Sequence, residues 1–243
     1  MSAPATHGPD APGGAAAGPA VADATAPTGP ATGARAALAI RNEAEFLADE
    51  LQAARAGTWD ALGRLFARAP DPATLDALAN LAPPDPGDGP VAMGWEVLRR
   101  AAIEAREAGP AALEEEYLDL FIGRGQGEVV PFGSWYLTGF LMEKPLALLR
   151  GDLARLGIER GAGVPESEDH VAALAEAMAH VVRASGEIDL ATQRAFFDDH
   201  VAPWMGRCFA DVQAAPSARF YRAAGFLGEA VVDFERELLA MRD

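Results

Sequence analysis

Apolar residues along this chain return every three or four positions, from about Ala36 to Leu238. That spacing lays one stripe along a helix, and no run alternates with the period of a strand. An all-α architecture of roughly eight to eleven helices follows. The first spans about Ala36 to Ala56. Thr58 then caps a short helix bearing Trp59, Leu62, Leu65 and Phe66. Asp71 caps the next, with Pro72 at its first position and Leu75, Leu78 and Leu81 on one side. The loop Pro83–Pro90 precedes a helix carrying Met93, Val97, Leu98 and Ile103. Ala111 to Ile122 is helical, with Leu113, Tyr117, Leu120 and Phe121 in phase. Gly123, Gly125 and Gly127 break that pattern, and Val129 and Val130 read as extended. Ser134 to Leu156 is helical again, kinked or ended by Pro145. After a loop from Gly157 to Pro165, Ser167 caps a helix with Val171, Leu174, Met178, Val181 and Val182. Asp189 to Met205 forms another, kinked at Pro203, and Pro216 opens the last.

Residues 1–34 carry no such pattern. They are almost wholly Ala, Gly, Pro, Thr and Ser, with Asp10 and Asp23 as their acids. No apolar face there offsets the entropy of ordering, so the segment reads as a disordered tail. It lacks the basic start and apolar core of a secretory signal, and no later window is apolar enough to span a membrane. Residues 35–243 are long enough for one globular helical domain with a sizeable core.

Charge narrows the partners. Twenty Lys and Arg face 36 Asp and Glu, a formal net charge of −16. Nucleic acid is disfavoured, because it needs clustered bases to release counterions. A basic peptide fits better, though acidity also serves solubility. Cys208 is the only cysteine, so no intrachain disulfide forms, and a cytoplasmic location is expected.

Candidate chemistry concentrates at Glu166-Ser167-Glu168-Asp169-His170. Acids beside a helix start favour the positive end of its dipole, so Glu168 and Asp169 could serve only to begin a helix. His170 shares a face with Leu174, Ala177 and Val181, and the neighbouring Asp169 would favour its protonated form. Structural and functional roles both stay open on these grounds. No metal site is indicated: His170 and His180 are ten apart and His200 and Cys208 eight apart, neither a zinc spacing. A Ser-His-Asp arrangement also lacks support, since no nucleophile elbow surrounds Ser134 or Ser185. Gly123-Arg124-Gly125-Gln126-Gly127 lacks the full phosphate-binding pattern and a preceding strand. Glu114-Glu115-Glu116 reads as a solvated face. Trp135, Tyr136 and Trp204, at loop–helix junctions, are candidates for a peptide groove.

Three segments together resemble the TorD/DmsD family of cytoplasmic chaperones for molybdenum enzymes. They are Glu116-Tyr117-Leu118-Asp119-Leu120-Phe121-Ile122-Gly123 with Pro131, Ser134 and Tyr136 following; Glu166 to His170, similar to a Glu-Pro-x-Asp-His signature; and Gln193, Phe196-Phe197, His200 and Pro203-Trp204, with Phe220-Tyr221 downstream. The likeness runs from about Leu38 to Leu239. Ser167 stands where the family has proline. The resemblance implies a TorD-like helical domain whose two parts meet at a hinge near the second loop. It implies a chaperone, not an enzyme, that binds the apo catalytic subunit of a molybdopterin oxidoreductase. Many members recognise the twin-arginine export signal and aid insertion of the molybdenum cofactor. Carried over, the partner-binding residues are Glu166, Asp169 and His170, faced by Pro131, Ser134 and Tyr136, with Tyr117 and Phe121 supporting the pocket from below. No resident cofactor, metal or catalytic residue is implied. Some members are linked to weak guanine-nucleotide binding, and monomers or domain-swapped dimers both belong to the pattern.

Carboxylates pair bidentately with guanidinium groups, and an apolar groove takes an apolar run, so an acidic cleft suits a twin-arginine signal. Two other readings compete. One is a weak nucleotide hydrolase using Asp169, His170 and the glycine loop. The other is a helical scaffold without a dedicated pocket.

Overall fold

The computed structural model describes residues 30–85, 87–123, 125–159, 161 and 166–241, with residues 30–44 and Phe46 as backbone only. The chain divides between Glu45 and Phe46, and the core and the site lie in the unit that begins at Phe46. The reading of 1–34 as a tail lies outside the described residues up to position 29. From Pro30 onward the backbone is helical.

The described residues form helices and turns, with one isolated antiparallel bridge between Phe132 and His170. In chain order the helices are α1 (Pro30–Ala67), α2 (Pro72–Ala79), α3 (Pro90–Ala108), α4 (Pro110–Tyr117), α5 (Gly133–Thr138), α6 (Lys144–Arg155), α7 (Val171–Arg183), α8 (Leu190–His200), α9 (Met205–Ala214) and α10 (Phe220–Ala240). A single π-helical turn, Leu118–Ile122, continues α4. The all-α expectation therefore holds across the described residues.

Local chemistry explains most boundaries. Asp71 and Asp189 cap α2 and α8, accepting from the Thr74 and Thr192 N–H groups at 2.7 and 2.8 Å. Proline stands at the start of α2, α3, α4 and α6, where its missing N–H costs nothing.

Several expectations are corrected. Thr58 starts no helix: its hydroxyl donates back to the Ala54 carbonyl at 2.8 Å, and α1 runs through it. Ser134 to Leu156 is two helices, because Gly139 ends α5 in the left-handed region and Pro145 opens α6. The span from Asp189 to Met205 divides at Pro203, where the ring cannot continue the ladder. The last helix begins at Phe220, past Pro216. Its start is set from afar: the Glu116 carboxylate accepts from the Arg219, Phe220 and Tyr221 N–H groups at 2.8, 3.2 and 2.8 Å. Glu116 is thus buried and caps another helix, not part of a solvated face.

The apolar stripes of these helices meet in one core, centred on Trp59, Leu62, Phe66, Leu98, Met178, Phe197, Trp204, Phe209, Tyr221 and Leu227. Where α10 passes α9, Gly228 lies against the Phe209 ring. A Cβ there would stand 2.7 Å from ring carbons, so only glycine permits that approach. One charged pair crosses the core. Arg55 of α1 donates to both oxygens of Glu235 of α10, at 2.9 and 2.5 Å, and the Trp59 indole N–H reaches the same carboxylate at 3.2 Å.

Candidate functional site

The stretch 131–134 runs beside 167–171, and the two are bonded along their length. The Gly133 N–H donates to the Asp169 carbonyl and the Val171 N–H to the Pro131 carbonyl, each at 2.8 Å. Asp169 fastens this junction with its side chain. One oxygen accepts from the Ser134 N–H at 2.8 Å, the other from the Ser167 hydroxyl at 2.5 Å. Both oxygens are therefore in use, and the carboxylate is buried.

Ser167 donates its hydroxyl to Asp169 and lies three residues before the cap position, so it does not cap α7 as the sequence suggests. His170 does. Its Nδ1 accepts from the Ala172 N–H at 3.2 Å, which fixes a ring that is unprotonated at that nitrogen. The ring packs edge-on against Phe132, with centroids 4.9 Å apart. Burial pushes its pKa down to about 4, against the opposing pull of Glu166 and Asp169. Asp169 does pull toward a protonated His170, as expected, but removal from water outweighs both nearby carboxylates.

Next to this junction lies a cleft of about 330 Å³. Gly133, Ser134 and Leu137 of α5 form one side, and Pro145, Leu148, Leu149 and Asp152 of α6 face them. Asp169, Leu174, Asp199, His200 and Trp204 complete it. Most of the lining is apolar, with carboxylates at intervals. His200 Nε2 lies 2.7 Å from Asp152, and burial holds the imidazole pKa below its usual value. Trp204 is anchored through its indole N–H to the His200 carbonyl at 2.7 Å. Gly133 sits so close to that indole that a Cβ would come within 3.0 Å of its nitrogen. Beside the cleft, the turn joining α5 to α6 projects bare apolar side chains. Phe140 is 68% exposed and Met142 80%. The turn is braced nonetheless: the Met142 N–H donates to Ser134 Oγ at 3.2 Å and the Thr138 hydroxyl to the Ser134 carbonyl at 2.8 Å.

Of the eight residues singled out by sequence, Ser134 and Asp169 meet in this cleft. Pro131 is buried in the junction behind it. Tyr136 faces elsewhere: its hydroxyl donates to Asp211 at 2.7 Å, its ring stacks obliquely on Trp204, and burial raises its pKa. Glu166 lines a separate groove with Glu159, Glu168, Glu176 and His180. Tyr117 and Phe121 join an aromatic cluster with Phe66 and Tyr221, and the Tyr117 hydroxyl donates to the Ala67 carbonyl at 3.0 Å. Glu166 still lies near enough for its charge to help raise the Tyr117 pKa, behind the larger effect of burial. Sequence reasoning passed over Leu148, Asp152 and Asp199. They stand on helices whose local pattern marks them only as surface positions.

The glycine loop explains itself without phosphate. Gly123 has φ +63, and a Cβ there would meet the Gln126 carbonyl oxygen at 2.0 Å. These glycines allow the backbone to fold against the π-helical turn, where the Val129 N–H donates to the Leu120 carbonyl at 2.8 Å. Among the described residues no three His, Cys, Asp or Glu side chains are placed to hold a metal. Among them too, no helix is long and apolar enough to cross a membrane.

A family model described as nitrate reductase delta subunit matches residues 85–210, just over half the chain and every residue of the cleft. The chain belongs to this family. It is the TorD family of chaperones that the three motifs resemble, and not a family of enzymes. Similar proteins include the chaperone protein TorD of Vibrio cholerae serotype O1, from strains M66-2 and N16961. Each is 24% identical over 153 residues, a span covering 59% of this chain and 69% of the relative.

Proposed function

We propose that this protein is a cytoplasmic chaperone that binds the apo catalytic subunit of a molybdopterin oxidoreductase and assists cofactor insertion and assembly. The cleft beside Asp169 receives a segment of that subunit, and a twin-arginine signal is the segment whose chemistry suits it. The supporting observation is an apolar cleft with acidic edges, built around the signature turn of a chaperone family and flanked by the exposed Leu137–Met142 turn. An unfinished polypeptide offers apolar side chains that need cover, and cationic ones drawn to a chain of net charge −16. No covalent step is required. A complex of micromolar affinity needs only about −8 kcal/mol, and folding of the loaded client would release it.

Co-expression tests the reading. The tagged chain, produced with molybdoenzyme catalytic subunits from the same organism, should co-purify with one of them in its cofactor-free form. Deletion of the gene should leave that enzyme short of molybdenum cofactor. Normal cofactor content of every molybdoenzyme in the deletion strain would refute the proposal.

A further inference from the structure

Three carboxylates line the cleft, and they are not equivalent. Asp152 is held by the His200 imidazole at 2.7 Å and by Arg155. Asp169 gives one oxygen to the Ser134 N–H and the other to the Ser167 hydroxyl. Asp199 stands at the C-terminal end of α8 with its side chain exposed. No hydrogen bond or ion pair engages it among the described residues, though its charge acts on the neighbouring His200 imidazole, while Asp198 pairs with Arg194. Asp169 is buried and Asp152 already meets Arg155 and His200, so a cation entering the cleft would compete with internal partners at either. At Asp199 it displaces only water. The cleft that Asp199 borders is also lined by Leu137, Pro145, Leu148, Leu149 and Trp204, a surface for a bulky apolar side chain.

We propose that Asp199 is the specificity-determining carboxylate of this cleft, pairing with an arginine of a client segment whose adjacent apolar side chain fills the space between α5 and α6. Asp169 and His170 hold the wall and do not touch the ligand. This assignment rests on the chaperone reading of the same cleft, but moves cation recognition from the signature turn to the end of α8. An arginine fits better than a lysine, because its planar fork pairs with a carboxylate while its face lies against apolar surface.

Fluorescence anisotropy with the full chain tests it. The probe is a labelled alanine-based peptide with one Phe-Arg pair, compared with its twin carrying citrulline for arginine. The wild-type chain should prefer the arginine peptide by about tenfold, as expected for a hydrogen bond between charged groups. Asp199→Asn should abolish that preference while leaving citrulline binding unchanged. Asp169→Asn should preserve it. Asp199→Arg should reverse the choice, favouring a Phe-Glu peptide. Retention of the full preference in Asp199→Asn overturns the assignment, and so does a wild-type chain that treats both peptides alike. If the apo subunit co-purifies but the peptides are not distinguished, the chaperone reading stands and the Asp199 assignment falls. If they are distinguished through Asp199 yet no subunit co-purifies, the assignment stands and the chaperone reading falls.

Discussion

Removing Glu235 should break the buried ion pair that ties α1 to α10. Its side chain and that of Arg55 are only 1% and 2% exposed, so both charges are almost fully desolvated. Glu235→Ala leaves the guanidinium without its bidentate partner and the Trp59 indole N–H without its 3.2 Å acceptor. Gln52 and Gln193 also accept from Arg55, but neither carries the charge that would compensate. Breaking one side of a buried pair costs about 3–5 kcal/mol. For a domain of this size each kcal/mol lowers the melting temperature by about 2–4 °C, so a fall of roughly 6–20 °C is expected. The pair itself need not stabilise the fold relative to an apolar one. Arg55→Met with Glu235→Leu removes both charges and fills the space, and should regain most of the loss. Urea unfolding followed by far-UV circular dichroism of wild type, Arg55→Met, Glu235→Leu and their double variant closes a cycle whose coupling energy should exceed about 2 kcal/mol. A Glu235→Ala variant within about 1 kcal/mol of wild type would refute the reasoning. So would a double variant no more stable than Glu235→Ala.

Acid should weaken the fold through His170. Its pKa falls from 6.5 to about 4 on folding, so between those values the unfolded chain binds the extra proton. Stability contributed by the neutral ring is complete above pH 6.5 and declines as pH falls toward 4, by about 3 kcal/mol in total. His170→Asn keeps a cap on α7 but does not titrate, so its urea midpoint should vary less between those pH values. Asp169→Ala strips the buried Ser134 N–H of its acceptor and should cost about 1–3 kcal/mol by urea titration. Asp169→Asn can keep both bonds, accepting from Ser134 and donating to Ser167, and should lose less than about 1 kcal/mol. Glu116→Ala frees three N–H groups at the start of α10, and differential scanning calorimetry should show a loss of about 2 kcal/mol or more.

Much of the helical framework was legible because its signals are local. Asp71 and Asp189 cap because each lies three residues before an orphan N–H, a relation visible in any listing of the chain. Leu174, Met178, Val181 and Val182 recur at helical spacing and are buried accordingly. Pro145 signalled an interruption, but only the neighbouring backbone shows that it begins a helix instead of bending one. Ser167 misled for a related reason. A serine before an apolar run is a good cap only where the helix starts beside it, and here the turn through Asp169 delays the start to Val171.

What tertiary structure alone decided is the state of the charged and polar groups. Arg55 and Glu235 stand 180 positions apart, and no window along the chain joins them. Glu116 reads as the end of an acidic run until α10 is folded against it. Asp152, Asp169 and Asp199 look alike by composition, yet the fold gives internal partners to two and leaves the third facing an apolar cleft. Helical periodicity is fixed by bonds four residues long, so sequence determines where the chain coils. A carboxylate's role depends on which donors reach it and how much water remains, and both are set by groups that only folding brings near.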